Sequence, residues 1–356
     1  MAHLIFQTAF PGDLFLSIPL IKRLRVWDKK SEIVLACRPG LGEFFKKYGL
    51  VQEVVEIDKR SPVGRRESLA RLRRESWDLI LVPHESVRTA LWISRLHARQ
   101  AKVGFAHWWN VGFFEYRVIC PQHLPDALRQ LSLLQPLDIE MRTYFESREI
   151  QDLKNPESQD SPWDFQRQAI PSWASMQVLE YRPQGRVVFL APGSVWNTKR
   201  WTQEGFAELA VRLKNAGFDV QLVGSPAERE LCDWIARAAG GLKNWAGQTS
   251  LSGLVELFAQ GRALICNDSG AMHAAAAAGL PVLAIFGPTT LQLGFRPWSQ
   301  KAVVVQKALS CRPCGKHGAK NCPIKTHACM KDISAAQVFE GLNLLLGESP
   351  HLGFGQ

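Results

Sequence analysis

Apolar positions along the chain follow two periods in turn, short continuous runs of strand type and longer stretches at helical spacing. HLIFQT reads as a first buried strand, and the loop AFPGD leads from it into an apolar-periodic helix from Leu14 to Arg25. EIVLAC, VQEVVEI and WDLILVP read as further strands, with a basic helical stretch before the last of them. The pattern then fades. Residues 146–185 are polar, carry Pro, Ser, Asp and Gln, and hold no sustained period, as an interdomain connection does. The alternation restarts at RVVFLAPG. A helix near Thr202–Asn215 sets Phe206, Leu209, Ala210 and Leu213 at i, i+3, i+4, i+7, with Thr202 as N-cap and Gly217 as its stop. FDVQLVG, ALICND and PVLAIFG supply three more strands.

Two runs of strand–helix alternation predict an α/β protein of two Rossmann-like domains facing each other across a cleft. The expected boundaries are 1–165 and 186–356, joined by a linker over 166–185. Ligands are expected at the carboxyl ends of the strands, where helix N-termini point. The length of 356 residues suits two domains of about 150 each. Hydrophobic residues at 46% and charged residues at 21% exclude a disordered chain. The longest apolar run, Ala274 to Phe286, is broken by Gly279 and Pro281 and falls short of the ~20 residues of a membrane span. The start MAHLIFQTAF lacks a basic n-region and a small-residue cleavage site, so a cytoplasmic protein is expected.

Charge sharpens the picture. Lys and Arg number 43 against 33 Asp and Glu, for a net +10. Residues 1–120 hold 20 basic and 12 acidic side chains, and so most of that excess. Between Lys59 and Arg74 stand seven basic residues and one acid, Glu67. A solvated helix face is the ordinary meaning of such a run. A basic half beside a near-neutral one also suits a polyanionic partner for the first half alone: nucleic acid, an anionic membrane surface, or a phosphorylated or carboxylated substrate.

Three strand-to-helix loops sit where a site is expected. In PGDLFLSIP, Gly12 permits a tight turn, and Asp13 either caps the helix or serves as a general base. In APGSVWNTKRW, backbone amides, the Ser194 hydroxyl and Lys199 offer a phosphate both hydrogen bonds and charge. This loop is not a Walker A motif, and no clean G-x-G-x-x-G occurs in either half. In NDSGAMHAAAAAGLPVLAIFGPT, Asp268, Ser269 and Gly270 open an Ala-rich helix whose N-terminus suits a diphosphate, with His273 near its start.

In order and spacing, PGDLFLSIPLIKRLR, GSVWNTKRWTQEGFAELA and NDSGAMHAAAAAGLPVLAIFGPT resemble the signature segments of the ADP-heptose:lipopolysaccharide heptosyltransferases, glycosyltransferase family 9. WDLILVPHESVRTALWISRL and the Cys cluster ending in CMKDIS resemble the heptosyltransferase II branch. The resemblance implies a GT-B fold, an inverting transfer from ADP-L-glycero-D-manno-heptose to the lipopolysaccharide inner core, and no cofactor required for catalysis. It implies Asp13 as the general base that deprotonates the acceptor hydroxyl. It places Ser194 and Lys199 on the donor phosphates, with Asp268, Ser269, Gly270 and His273 in the donor loop. Glu228, in GSPAERE, is a candidate ribose partner. The basic stretch then lies in the acceptor domain, with Arg65, Arg66, Arg71 and Arg74 expected to meet an anionic core, and with peripheral contact to the inner membrane surface.

Cys311-x2-Cys314-x7-Cys322-x6-Cys329 opens like a zinc or iron site, but its second pair is not CxxC. A structural metal and reduced thiols in a loop both remain open. His317 and His327 could replace one ligand. Other readings are a family 9 transferase with a different donor or acceptor, a basic nucleic-acid-binding protein, and a nicotinamide-dependent enzyme. The missing RNA- and DNA-recognition patterns argue against nucleic acid, and the missing Gly fingerprint against nicotinamide.

Overall fold

The computed structural model describes residues 2–151, 163–165 and 170–347. The chain divides into two compact units, Met1–Asn155 with Pro171–Ser175, and Pro156–Ile170 with Met176–Gln356. The first unit runs β1 (Ala2–Phe6), α1 (Pro11–Phe15), α2 (Ile18–Trp27), β2 (Glu32–Cys37), α3 (Gly42–Lys47), β3 (Glu53–Glu56), α4 (Pro62–Arg74) and β4 (Trp77–Val82). It continues through α5 (Val87–Ile93), β5 (Ala98–Phe105), β6 (Tyr116–Val118), α6 (Asp126–Leu131), α7 (Ile139–Glu146) and α8 (Arg148–Gln151). The second unit contributes β7 (Trp163–Phe165), β8 (Val187–Ala191), α9 (Gln203–Asn215), β9 (Asp219–Leu222), α10 (Arg229–Ala238), β10 (Lys243–Asn244) and α11 (Leu251–Phe258). After these come β11 (Ala263–Asn267), α12 (Gly270–Ala278), β12 (Val282–Phe286), β13 (Ala302–Gln306), α13 (Ala328–Lys331) and α14 (Ala335–Leu346).

The first sheet has six strands in the order β3-β2-β1-β4-β5-β6, and every pairing in it is parallel. The second repeats that order as β10-β9-β8-β11-β12-β13 and adds β7 antiparallel at its edge. In each sheet the direction of winding reverses beside the first strand, between β1 and β4 and between β8 and β11. Side chains that alternate along a strand build the cores: Leu4 and Phe6, Val34 and Ala36, and Ile80 and Val82 share one face of the first sheet. In α9 the four residues at helical spacing are fully buried, and Thr202 Oγ1 accepts the Gly205 amide at 3.0 Å, as the spacing and cap predict. Among the described residues no helix is long and apolar enough to cross a membrane.

Two expectations need correction. The helix foreseen from Leu14 to Arg25 is two helices broken at Leu16–Ser17. Pro19 has no amide to donate back to Phe15, and it falls in the first turn of α2, where none is needed. The domain boundary also differs. Residues 163–165, expected in the first domain, pair with β13, and Asp164 forms a buried ion pair with Arg296 at 3.3 Å. Pro171–Ser175, expected in the linker, belongs to the first unit, where the Ser175 carbonyl accepts Lys22 Nζ at 3.0 Å. Parts of the linker, 166–169, lie outside the described residues.

Below the break, α2 is anchored by a charge pair. Arg23 Nε and one terminal nitrogen donate to Asp138 at 2.6 and 2.9 Å, and both side chains are buried. Asp138 also caps α7 by accepting the Glu140 amide at 3.0 Å. Replacing Arg23 by Met leaves a buried carboxylate without its countercharge, and should lower the urea-unfolding free energy by about 3–5 kcal/mol. The double variant Arg23→Met/Asp138→Ser should recover part of that loss, because Ser keeps the cap and removes the orphaned charge.

Candidate functional site

The loops after β8 and β11 leave adjacent strand ends at the point where the second sheet reverses its winding. Asn267, wholly buried at the end of β11, holds them together. Its Nδ2 donates to the Pro192 carbonyl at 2.8 Å, and its Oδ1 accepts the Trp201 amide at 2.9 Å, so one side chain pins both ends of the 192–201 loop. Lys199, on the 3-10 turn Asn197–Lys199, is thereby turned inward. Its Nζ donates to Asp268 Oδ2 at 2.6 Å, and Thr289 Oγ1 donates to the same oxygen at 2.6 Å. Lys199 is 8% exposed and Asp268 6%.

The Asp268 carboxylate therefore orients Lys199 and presents no charge of its own suited to an anion. Ser194 is buried beside it, its Oγ 3.5 Å from the Asp268 carbonyl. Ser269 is the N-cap of α12 and makes no side-chain cap bond, so no cap side chain takes the first-turn amides at the end of the helix that carries its partial positive charge, where Met272 N donates to the Ser269 carbonyl at 3.2 Å. Gly279, with φ +77°, ends that helix in the left-handed region. His273, one turn in, is 4% exposed, and among the described residues its Nδ1 has no hydrogen-bond partner. Burial, helped by the Lys199 charge and opposed by Asp268, pushes its pKa down to about 4, so the ring is neutral near pH 7. Glu228 folds back onto Ser225, accepting its amide at 2.7 Å and its hydroxyl at 2.9 Å. A side chain at Gly193 would collide with the Glu228 carboxylate, which places Glu228 against the start of the 192–201 loop. All seven residues expected at a donor site are thus gathered at the ends of β8, β9 and β11.

The first unit presents a different arrangement at the ends of β1 to β4. Asp13 is half-buried in α1, and its Oδ2 accepts the Phe10 amide at 3.0 Å, so it does cap the helix. Thr8, three residues before α1, brackets His84 together with Thr89, at 3.2 and 3.1 Å from His84 Nδ1. The Thr8 carbonyl accepts Lys59 Nζ at 2.7 Å and Arg38 Nε at 3.0 Å. Arg38, Lys59 and Arg60 line a cavity of about 500 Å³ with Pro39, Ile57 and Asp58. Burial, with the neighbouring charges of Arg38 and Arg88, pushes the Lys59 pKa down to about 8. This is a cation-rich pocket beside the Asp13 loop. Arg65, Arg66, Arg71 and Arg74 do not line it. They are spread along α4, with Arg65 half-buried, the other three exposed, and Arg71 paired with Glu53.

The metal reading of the cysteines does not fit. Among the described residues no three His, Cys, Asp or Glu side chains converge to hold an ion. Cys329 is buried on α13, and the Cys314 thiol turns to the Cys311 carbonyl at 3.2 Å. Cys322 Sγ accepts the His327 amide at 3.4 Å. The loop acts as a strap instead. Ala319 N donates to Thr198 Oγ1 at 3.1 Å, and His327 Nε2 donates to the Thr198 carbonyl at 2.8 Å, which fixes the residue before Lys199.

Sequence reasoning passed over Asn267, Thr289, Thr8, His84 and Arg38. His84 follows WDLILVP in the loop after the fourth strand, the position that faces the first in a doubly wound sheet, and that position was its available signal.

The neutral His273 carries a pH signature. An unfolded chain takes up its proton below about 6.5, whereas the folded ring resists until about 4, so the unfolded state binds more protons between those values. Stability of the second unit should therefore fall as pH drops from 6.5 toward 4. His273→Leu should flatten that slope when urea midpoints are compared at several pH values.

The sequence profile of glycosyltransferase family 9 (heptosyltransferase) matches residues 65–325. Lipooligosaccharide heptosyltransferase 2 of Haemophilus influenzae is 25% identical over 98% of this chain and 100% of its own length. Lipooligosaccharide heptosyltransferase 2 of Campylobacter jejuni serotype O:2 is 34% identical over 46% of this chain, a match that spans about half (52%) of that relative. The structure of E. coli ADP-heptose LPS heptosyltransferase II superposes with a TM-score of 0.73 at 25% identity, covering 98% of this chain and 99% of that one. The iron-containing dodecameric glycosyltransferase TibC of enterotoxigenic E. coli shares the fold at TM-score 0.56 and 16% identity, over 97% and 75% of the two chains. Two Rossmann-like units of matching strand order, the donor-loop segments and a profile match over most of the chain together establish that this protein has the GT-B fold and belongs to glycosyltransferase family 9, the heptosyltransferase family.

Proposed function

We propose that the chain transfers a heptose from ADP-L-glycero-D-manno-heptose to the inner core of lipopolysaccharide, with inversion at the anomeric carbon, while in peripheral contact with the inner membrane surface. The observation that carries this reading is Lys199, held by Asp268 beside the N-terminus of α12 within the family's donor segments. Departure of ADP from the anomeric carbon develops negative charge on the diphosphate. A fixed ammonium and helix amides stabilise that charge without reorganising. Ser194 and the amides after Ser269 add hydrogen bonds, and Glu228 is the candidate for the ribose hydroxyls. The full-length similarity to a lipooligosaccharide heptosyltransferase supports the substrate class.

On the acceptor side, Asp13 takes the proton from the attacking hydroxyl as the new glycosidic bond forms and the bond to ADP breaks. The pocket of Arg38, Lys59 and Arg60 suits the phosphates and carboxylates of the inner core better than the solvated face of α4 does. Arg65, Arg66, Arg71 and Arg74 would then act at longer range, through the field they add to the basic half.

Asp13→Asn keeps a side-chain oxygen for the Phe10 amide, so the fold should survive. Turnover should fall by roughly two to four orders of magnitude while ADP binds normally. In the same calorimetric series, Lys199→Ala should weaken ADP binding by about 1.5–3 kcal/mol, the range for hydrogen bonds to charged groups. If Asp13→Asn turned over normally and Lys199→Ala bound ADP like the parent, both roles would be lost.

Lys59 gives the acceptor a pH dependence. Its ammonium is the charged form, present below about 8, so the acceptor KM should rise as pH climbs through that value while the ADP-heptose KM stays level. Lys59→Arg, which cannot deprotonate in this range, should remove the rise.

A further inference from the structure

Large apolar side chains stand in solvent at one end of the first unit. Trp108 is 89% exposed, Ile119 83%, Val111 66% and Leu91 46%. The loop that carries Trp108 and Val111 is well fixed. Asn110, 1% exposed, donates to the Phe105 carbonyl at 2.7 Å and accepts the His107 amide at 2.9 Å and Arg117 Nε at 3.2 Å. The His107 ring stacks on Trp109 at 4.9 Å and 8°. Phe114 is buried in the core, with Trp109 and Phe113 packed against it. With its inner residues locked, the loop cannot fold Trp108 back onto the sheet. α5 packs beside the turn Trp108–Asn110 and brings Leu91 and the exposed Arg88 alongside.

The charge around these residues is mostly positive, with Glu85 paired to His107 Nε2 at 2.7 Å beside the tip. From Val87 to Ile119 there are five Lys and Arg and one acid, Glu115, which lies 3.8 Å from Lys102 Nζ. A second copy of this chain seated here would set like charges face to face. An anionic bilayer would not. It accepts Trp at the depth of the headgroups, short aliphatic side chains just below them, and Arg at its phosphates.

We infer that the tip formed by Trp108, Val111 and Ile119, with Leu91, Arg88 and Arg117, is a docking surface for an anionic membrane face. This deepens the proposed function and rests on it for the biological role of docking. All six strands of the first sheet are parallel, so the tip, at the ends of β5 and β6, lies at the same end of the sheet as the Asp13 loop after β1. Docking presents that loop to the surface from which a lipid-anchored acceptor projects.

The test is sedimentation of the full chain with extruded vesicles, one set of phosphatidylethanolamine containing about one quarter phosphatidylglycerol, the other of phosphatidylcholine alone. The parent should partition onto the anionic vesicles and release with added salt. Trp108→Ser/Ile119→Ser should lower that partition by about tenfold or more. Both positions are exposed, so the melting temperature should hold, as should transfer to a deacylated, water-soluble core acceptor. Transfer to acceptor embedded in vesicles should drop. Equal partition of parent and variant, or no preference for anionic vesicles, overturns the inference. So does a parent dimer that the variant dissolves while vesicle binding stays the same. If the parent transfers to neither acceptor, the transferase reading fails, and the partition measurement still decides the docking surface.

Discussion

A lysine and an aspartate removed from water at the meeting of β8, β11 and β12 impose the tightest constraint on this molecule. Such a pair adds little net stability, because desolvation offsets most of the attraction. Breaking it is costly, however, so the surroundings must meet both groups at once. Thr289 supplies a second donor to Asp268, Asn267 pins the loop that carries Lys199, and the strap from the cysteine-rich segment holds Thr198. Thr289, Asn267 and the strap together form a scaffold for this one ammonium. Its geometry is set before any ligand arrives, the condition under which a charge is most effective in a low-dielectric site.

The first unit meets the opposite electrostatic problem. Arg38, Lys59 and Arg60 converge with only Asp58 among them, and Lys59, its pKa lowered first by burial and then by the charges of Arg38 and Arg88, holds its proton less tightly than usual. One unit neutralises its cation internally; the other leaves cations in want of an anion. A ligand with several negative groups relieves the first unit far more than a neutral sugar could. The pocket thus carries information about charge on its ligand that the loops after β8 and β11 do not.

How much of this was legible in the sequence depended on where the determinants sit along the chain. α9 could be read whole, because spacing and cap are local and agree. The loops after β8 and β11 could be placed at strand ends for the same reason. The helix at Leu14 was extended through Pro19 because its apolar period continues across a break made by one missing amide. β5 and β13 went unrecognised: ARQAKVGF mixes polar residues along its length, and AVVVQ, as long as the strands that were read, has no physical reason to have been missed. β7 comes from a polar stretch and pairs with a strand far along the chain, which no local pattern reveals. The basic run drew attention to α4, where charge is dense, while the pocket joins Arg38 to Lys59 across a strand end. Spatial convergence of that kind leaves no periodic trace.

The strap over Thr198 also bears on the order in which the molecule can be completed. Thr198 and Ala319 are 121 residues apart, and His327 is 129 from its partner in the loop. At the ribosome, where residues are added at about 5–20 per second, roughly ten seconds separate the synthesis of the lysine-bearing loop from that of the segment that clamps it. During that interval the six-stranded framework of the first unit is already available to fold, while the loop that bears Lys199 still lacks its clamp. A nascent chain of this protein therefore carries Lys199 on an unclamped loop until the residues that close the strap emerge.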